Sequence, residues 1–278
     1  MNYRHAFHAG NHADVLKHLV LSRVLTLLGR KEAPYAYLDS HAGLGLYDLA
    51  ADQACRTGEW LQGIGRIWQD SALPGALQEY LAVIRALNPD GSLRYYPGSP
   101  ELARRLSRPQ DRLHLNEKHP EDGQQLRETM HGDRRVSVHL GEGWHLPRAL
   151  LPTAEKRMVL LVDPPFEQAD ELERCVQSLE EAISRMRQAI VLIWYPVKDS
   201  RQLRHFYQAL SRSRAPKLLR AELRVHPADE AGRLNGSGLV ISNPPWGLEA
   251  ELQALLPWLA GQLAQSQGGW TLDWLIAE

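Results

Sequence analysis

Apolar side chains recur at helical spacing across residues 12–29, where Val15, Leu16, Leu19, Val20, Val24, Leu27 and Leu28 precede Gly29. That pattern predicts a helix with a glycine stop. Tyr35-Ala-Tyr-Leu-Asp39 predicts a short strand, which runs into a glycine turn from His41 to Gly45. Residues 57–90 read as helical, with Trp60, Leu61, Ile64, Ile67 and Trp68 on one face, then Leu77, Tyr80, Leu81, Ile84 and Leu87. Pro97-Gly-Ser-Pro100 predicts another helix start, because proline suits a first helical turn. Four strands follow, at Asp111–Glu117, Val136–Leu140, Met158–Asp163 and Ala189–Tyr195, each after a helix-like or turn-rich stretch. Three more, Leu218–Val225, Gly238–Ser242 and Gly269–Ile276, come late, with a helix at Leu248–Leu263 before the last.

Strands that alternate with helices imply a mostly parallel sheet covered on both faces. The late strands imply an antiparallel C-terminal strand. Together they predict an α/β protein with a Rossmann-like, doubly wound sheet, and the antiparallel C-terminal strand resembles the class I methyltransferase variant of that fold. The chain reads as a single domain over residues 1–278, with residues 46–95 as a small helical insertion after the first strand.

Composition narrows the classes. The chain has 278 residues, 44 % apolar and 23 % charged, as in ordinary globular proteins. No run approaches the ~18 apolar residues of a membrane span, and Met1–Gly10 has no signal-type apolar core. A cytoplasmic protein is expected. Cys55 and Cys175 lack metal-ligand spacing. A net charge of −1 argues against indiscriminate polyanion binding. Basic residues do cluster, at Arg104, Arg105, Arg108 and Arg112 and again from Arg201 to Arg224, yet such runs fit solvated helix faces equally well.

The chemistry concentrates at strand ends. Asp39-Ser-His-Ala-Gly-Leu-Gly45 lies where open α/β sheets bind ligands, and Gly43 would let the backbone approach a cofactor. The spacing matches neither a dinucleotide fingerprint nor a P-loop. Asp163-Pro-Pro-Phe166 is more specific. Two prolines hold the backbone extended without N–H donors, leaving carbonyl oxygens to accept from a ligand amine. The Asp163 carboxylate and the Pro164 carbonyl would hold the two N–H bonds of an adenine N6 amine, and Phe166 would stack on the base. Asn243-Pro-Pro-Trp246 has the same form but follows a late strand expected near the sheet edge, so a structural role is expected there.

His5, His8, His12 and His18 crowd the N-terminal segment. They raise the alternative of a metal-dependent hydrolase, although no His-Glu-x-x-His is present and no metal is expected. The loop Ala6–Asn11 is expected to lie over a cofactor instead.

Tyr3-Arg-His-Ala-Phe-His-Ala-Gly-Asn-His-Ala-Asp-Val-Leu-Lys-His18, Leu38-Asp-Ser-His-Ala-Gly-Leu-Gly45, Arg94-Tyr-Tyr-Pro-Gly-Ser-Pro100 and Asp163-Pro-Pro-Phe166 together resemble the RlmJ family of bacterial 23S rRNA adenine-N6 methyltransferases. The likeness runs from Tyr3 nearly to the C-terminus and includes Trp194-Tyr-Pro196. It implies S-adenosylmethionine as cofactor and 23S ribosomal RNA as partner, and leaves the oligomeric state open. By the same resemblance His18, His41 and Ser99 would contact the cofactor, Gly141-Glu142-Gly143 would meet its adenine, and Asp163 would be the catalytic acceptor. Glu117 would take the ribose hydroxyls, a role that an acidic residue at a strand end also suggests. Tyr3 would touch the RNA. Two departures stand out: Glu142-Gly143 where the family has Asp-Gly, and Phe166 where it usually has Tyr. The catalytic motif alone serves DNA as well as RNA, so a DNA adenine-N6 methyltransferase is an alternative. A catalytically silent nucleic-acid-binding protein is another.

Overall fold

The computed structural model describes residues 4–70, 74–227, 230 and 233–277; Tyr3 lies outside them. After a short 3-10 turn at His5–Phe7, the chain forms α1 (His12–Gly29), β1 (Ala36–Asp39), β2 (Leu46–Asp48), α2 (Asp52–Thr57), α3 (Ile64–Ile67), α4 (Gln78–Leu87) and β3 (Tyr95–Pro97). Then come α5 (Ser99–Leu106), β4 (Arg112–Glu117), α6 (Pro120–Thr129), β5 (Val136–Leu140), α7 (Leu146–Leu150), β6 (Met158–Val162) and α8 (Glu171–Arg185). The chain closes with β7 (Ile190–Val197), α9 (Ser200–Ser211), β8 (Leu218–Arg224), β9 (Gly236–Ser242), α10 (Leu248–Leu263) and β10 (Gly269–Ile276). Among the described residues no helix is long and apolar enough to cross a membrane.

Eight strands form one sheet in the order β10-β8-β9-β7-β6-β1-β4-β5. The run from β7 to β5 is parallel throughout. The C-terminal β10 is antiparallel to β8, as expected, and β9 is reversed as well, against both β7 and β8. Side chains on β1 and β6 alternate between two cores. Tyr37, Val159 and Leu161 face the helices α1, α4, α5 and α10. Ala36, Leu38, Leu160 and Val162 face α7, α8 and α9. This is the three-layer arrangement that a period of two in a doubly buried sheet requires.

The helix α1 is the centrepiece. It is buried on nearly every side, from His12 to Leu28, and packs against α4, α5, α10 and the sheet. Asn11 caps it, its side chain accepting from Ala13 N at 2.9 Å and Asp14 N at 3.0 Å. Within the segment 46–95 the helices are shorter than the apolar pattern suggests. Glycines at 58, 63 and 65 and Pro74 divide it into α2, a 3-10 turn at Glu59–Gln62, α3 and α4. β2 and β3, which no periodicity announced, pair antiparallel and bring the two ends of the segment together. Trp68 is buried in the larger core and Trp60 packs against it.

Candidate active site

One cavity of about 700 Å³ opens at the carboxyl ends of the parallel strands, within the range usual for small-molecule sites. His18, His41, Gly43, Ser99, Glu117, Glu142, Asp163, Pro164 and Phe166 all line it. Gly143 does not. It packs beneath the wall, where a Cβ would fall 2.1 Å from the Ser40 carbonyl oxygen.

β1 and its turn build one half. Gly43 and Gly45 both have positive φ, 65° and 79°, which lets the chain turn back sharply after β1. Gly43 N donates to Glu117 Oε2 at 2.8 Å and His119 N donates to Oε1 at 2.7 Å. Glu117 is buried, and burial pushes its carboxyl pKa up against the pull of those two N–H groups. The His41 ring meets Ser40 Oγ at 2.7 Å and sits edge-on to Trp144. Burial, with Lys118 nearby, lowers His41 to about 3, so its imidazole is neutral. Glu142 pairs with Lys118 at 2.5 Å. Behind the turn, burial raises Asp39 to about 6 against hydrogen bonds from Tyr37 and Ser99.

The other half centres on Asp163, which ends β6 directly beside β1. Its Oδ2 receives the Lys17 ammonium at 2.5 Å, and the same ammonium reaches Asp14 Oδ1 at 2.8 Å. Burial alone would lower the Lys17 pKa; the two carboxylates more than offset this and raise it, so Lys17 is charged. Asp14 also takes His5 Nε2 at 2.9 Å and Gly10 N at 2.9 Å. Phe166 stands at φ 54°, a left-handed conformation uncommon outside glycine, with its ring edge-to-face to Trp194 at 5.5 Å. Strained backbone of this kind concentrates at ligand sites.

The second Pro-Pro motif lies at the opposite end of the strands, by the start of β7. β9 runs opposite to β7, so Ser242, just before Asn243, pairs with Val191 near the start of β7. Asn243 Nδ2 donates to the Arg187 and Ala189 carbonyls at 3.0 and 2.9 Å. Those bonds tie the motif to the chain before β7, and its strand lies inside the sheet between β7 and β8 rather than near the edge as expected. Strand direction, not edge position, removes it from the cavity.

Three of the four N-terminal histidines are taken up by carboxylates and a tyrosine. His5 meets Asp14, His8 Nδ1 meets Glu59 at 2.9 Å, and His18 Nδ1 meets the Tyr96 hydroxyl at 2.8 Å. Burial lowers His18 to about 3. Among the described residues no three His, Cys, Asp or Glu side chains group as a metal site needs, so the hydrolase reading finds no support. Arg4 pairs with Glu121 and Asp122 at the start of α6. The segment thus ties α6, α1 and the 46–95 stretch together across the cavity. The first basic run is mostly paired internally, Arg104 and Arg105 with Glu101 and Arg108 with Asp111, and in the second Arg220 pairs with Asp273.

Residues 32–276 match the family described as RsmJ: Ribosomal RNA large subunit methyltransferase D, RlmJ. The chain belongs to this family. It is 42 % identical over 279 residues to Ribosomal RNA large subunit methyltransferase J of Escherichia coli (strain K12), covering 100 % of both chains. It is 40 % identical, again over 100 % of both, to the protein of the same name from Haemophilus influenzae. A Legionella pneumophila protein of known crystal structure shares the fold, with a TM-score of 0.89 at 34 % identity, covering 96 % of this chain and 98 % of that one.

Lys17 is the cavity residue that reading the sequence for chemistry passed over. It sits 146 positions from Asp163, and no local pattern ties the two together. Trp194, which braces Phe166 and lies 5.7 Å from the Lys17 ammonium, was quoted only as part of the resemblance.

Proposed function

We propose that this protein transfers a methyl group from S-adenosylmethionine to the exocyclic N6 of an adenine in 23S rRNA. One observation carries the reading: Asp163-Pro-Pro-Phe166 ends β6 beside the β1 glycine turn, with the Asp163 carboxylate anchored by Lys17. The residues present fit the cofactor. Glu117 offers a buried carboxylate for ribose hydroxyls, and His18, His41, Gly43, Ser99 and Glu142 complete that half of the cavity. Gly143 lets the turn after β5 close on Ser40. When bound, S-adenosylmethionine supplies an electrophilic methyl on a sulfonium sulfur. Lys17 holds Asp163 Oδ2, turning Oδ1 and the Pro164 carbonyl toward the amine. These acceptors favour a tetrahedral N6 whose lone pair is available, so catalysis is alignment and electrostatic stabilisation. Asp163 takes the proton that N6 sheds as it is methylated. Phe166 stacks on the extracted base, and Tyr3 touches the RNA. We read residues 1–278 as one methyltransferase domain, with 46–95 an insertion that braces the N-terminal segment.

Methyl transfer from labelled S-adenosylmethionine to protein-free rRNA, followed by nucleoside analysis beside a duplex DNA control, tests this. Label recovered as N6-methyladenosine from RNA alone is expected. Label in DNA alone, or in another nucleoside, would overturn the reading.

A further inference from the structure

The cavity does not end at Asp163. It continues across the ends of β7 and β9, the next two strands of the sheet. There its wall is Lys198, just after β7, His226 and Arg233 of the β8–β9 connection, and His12 at the start of α1. Neighbouring strands lie ~4.8 Å apart, so this arm extends about 10 Å beyond β6. Lys198 and Arg233 are exposed at its mouth. Arg233 keeps a loose pair with Glu230 at 3.3 Å.

His12 is the telling member. It is 6 % exposed, and its Nε2 has no hydrogen-bond partner among the described residues. Its polar neighbours are otherwise engaged: Glu59 with His8 and Asn11, His226 with Ser266. Buried polar atoms are almost always satisfied, so an orphan on the wall of a ligand cavity marks a place kept for a ligand atom. Burial lowers His12 to about 4 and keeps its ring neutral. A neutral imidazole suits an uncharged polar edge, and the exposed cations suit a phosphate.

We propose that this arm is a second nucleotide subsite, which takes the nucleotide next to the target adenine: Lys198 and Arg233 hold its phosphate and His12 Nε2 bonds a polar edge of its sugar or base. The subsite rests on the rRNA reading above and deepens it. It divides the cavity into a cofactor half on β1, β4 and β5 and an RNA half on β6, β7 and β9.

The test is equilibrium binding of a protein-free 23S rRNA transcript over a salt series, alongside calorimetric binding of S-adenosylmethionine. Lys198→Ala and Arg233→Ala are each expected to weaken RNA binding about tenfold and to reduce the log–log salt slope by about one. His12→Ala is expected to weaken it about five- to tenfold at unchanged slope. All three are expected to bind S-adenosylmethionine as the unsubstituted protein does. Unaltered RNA affinity and slope in all three would overturn the subsite, as would a parallel loss of cofactor affinity. Failure of the unsubstituted protein to bind the transcript would instead remove the rRNA reading itself, and the subsite with it.

Discussion

The Lys17 ammonium lies 2.5 Å from Asp163 Oδ2, across 146 residues of sequence, and shares its charge with Asp14 at 2.8 Å. In the proposed reaction this contact leaves Oδ1 of Asp163 as the oxygen that meets the amine. Removing either partner does different things. Asp163→Ala should keep S-adenosylmethionine binding and lose turnover by a factor of about 10²–10³. Calorimetry and single-turnover methyl transfer check the two halves of that statement, and near-normal turnover would take Asp163 out of the mechanism.

Lys17→Met should hurt the fold as well as the reaction. It leaves Asp14 and Asp163 facing each other without a cation in a buried place. Breaking a buried pair costs about 3–5 kcal/mol, which urea unfolding of the variant would register. Asp14→Asn combined with Lys17→Met should recover part of that loss.

Phe166→Ala should leave the cofactor half intact and weaken the RNA substrate. Stacking on a base is worth ~1–3 kcal/mol, so KM for RNA should rise about 5- to 150-fold. Phe166→Tyr keeps the face and should stay within about threefold of normal. A large fall in kcat for the tyrosine variant would mean that the ring does more than stack.

Acid should unfold this protein through its histidines. His12, His18 and His41 are lowered by burial to about 4, 3 and 3 from an ordinary 6.5. Between those values the unfolded chain binds more protons, so their contribution is complete above about pH 6.5 and is lost as pH falls toward 4. Asp39, raised to about 6 from 3.8, works the other way and is most favourable to the fold at the acid end. Three groups outweigh one. Urea midpoints should therefore drop between pH 7 and pH 5, and less steeply in His18→Gln. A flat profile would contradict the buried neutral rings.

Gly143→Ala tests the wall. The added methyl would meet the Ser40 carbonyl oxygen at 2.1 Å and the His41 ring at 2.9 Å. Backbone cannot yield as a flexible side chain can, so a loss of about 1–3 kcal/mol is expected. His41 would be displaced with it, and weaker S-adenosylmethionine binding in calorimetry should accompany the lower melting temperature.

Long periodic elements were legible in the sequence. The helices at 12–29 and 248–263 and the strands at 136–140 and 269–276 fall where the patterns place them. The segment after β1 was not, because apolar spacing continues through Gly58, Gly63 and Pro74 while the backbone cannot remain helical there. Three-residue strands such as β2 and β3 leave no periodic trace. Asp163 could be placed because a buried apolar strand announces its own end. Its partner could not, since a lysine on a helix reads as solvent-facing until the helix proves to be buried on all sides. The orphaned His12 Nε2 is invisible to sequence for the same reason.

That buried helix also serves as a measuring rod. α1 carries His12, Asp14, Lys17 and His18 along one wall of the cavity, which on the proposed reading places His12 toward the RNA, Asp14 and Lys17 at Asp163 and His18 toward the cofactor. At 1.5 Å per residue, His12 and His18 stand about 9 Å apart along one axis. On that reading the separation between methyl donor and methyl acceptor is graduated on a single helix rather than negotiated between loops. A one-residue insertion between Asp14 and Lys17 would swing everything beyond it by about 100° and throw both ends of the gauge out of register at once.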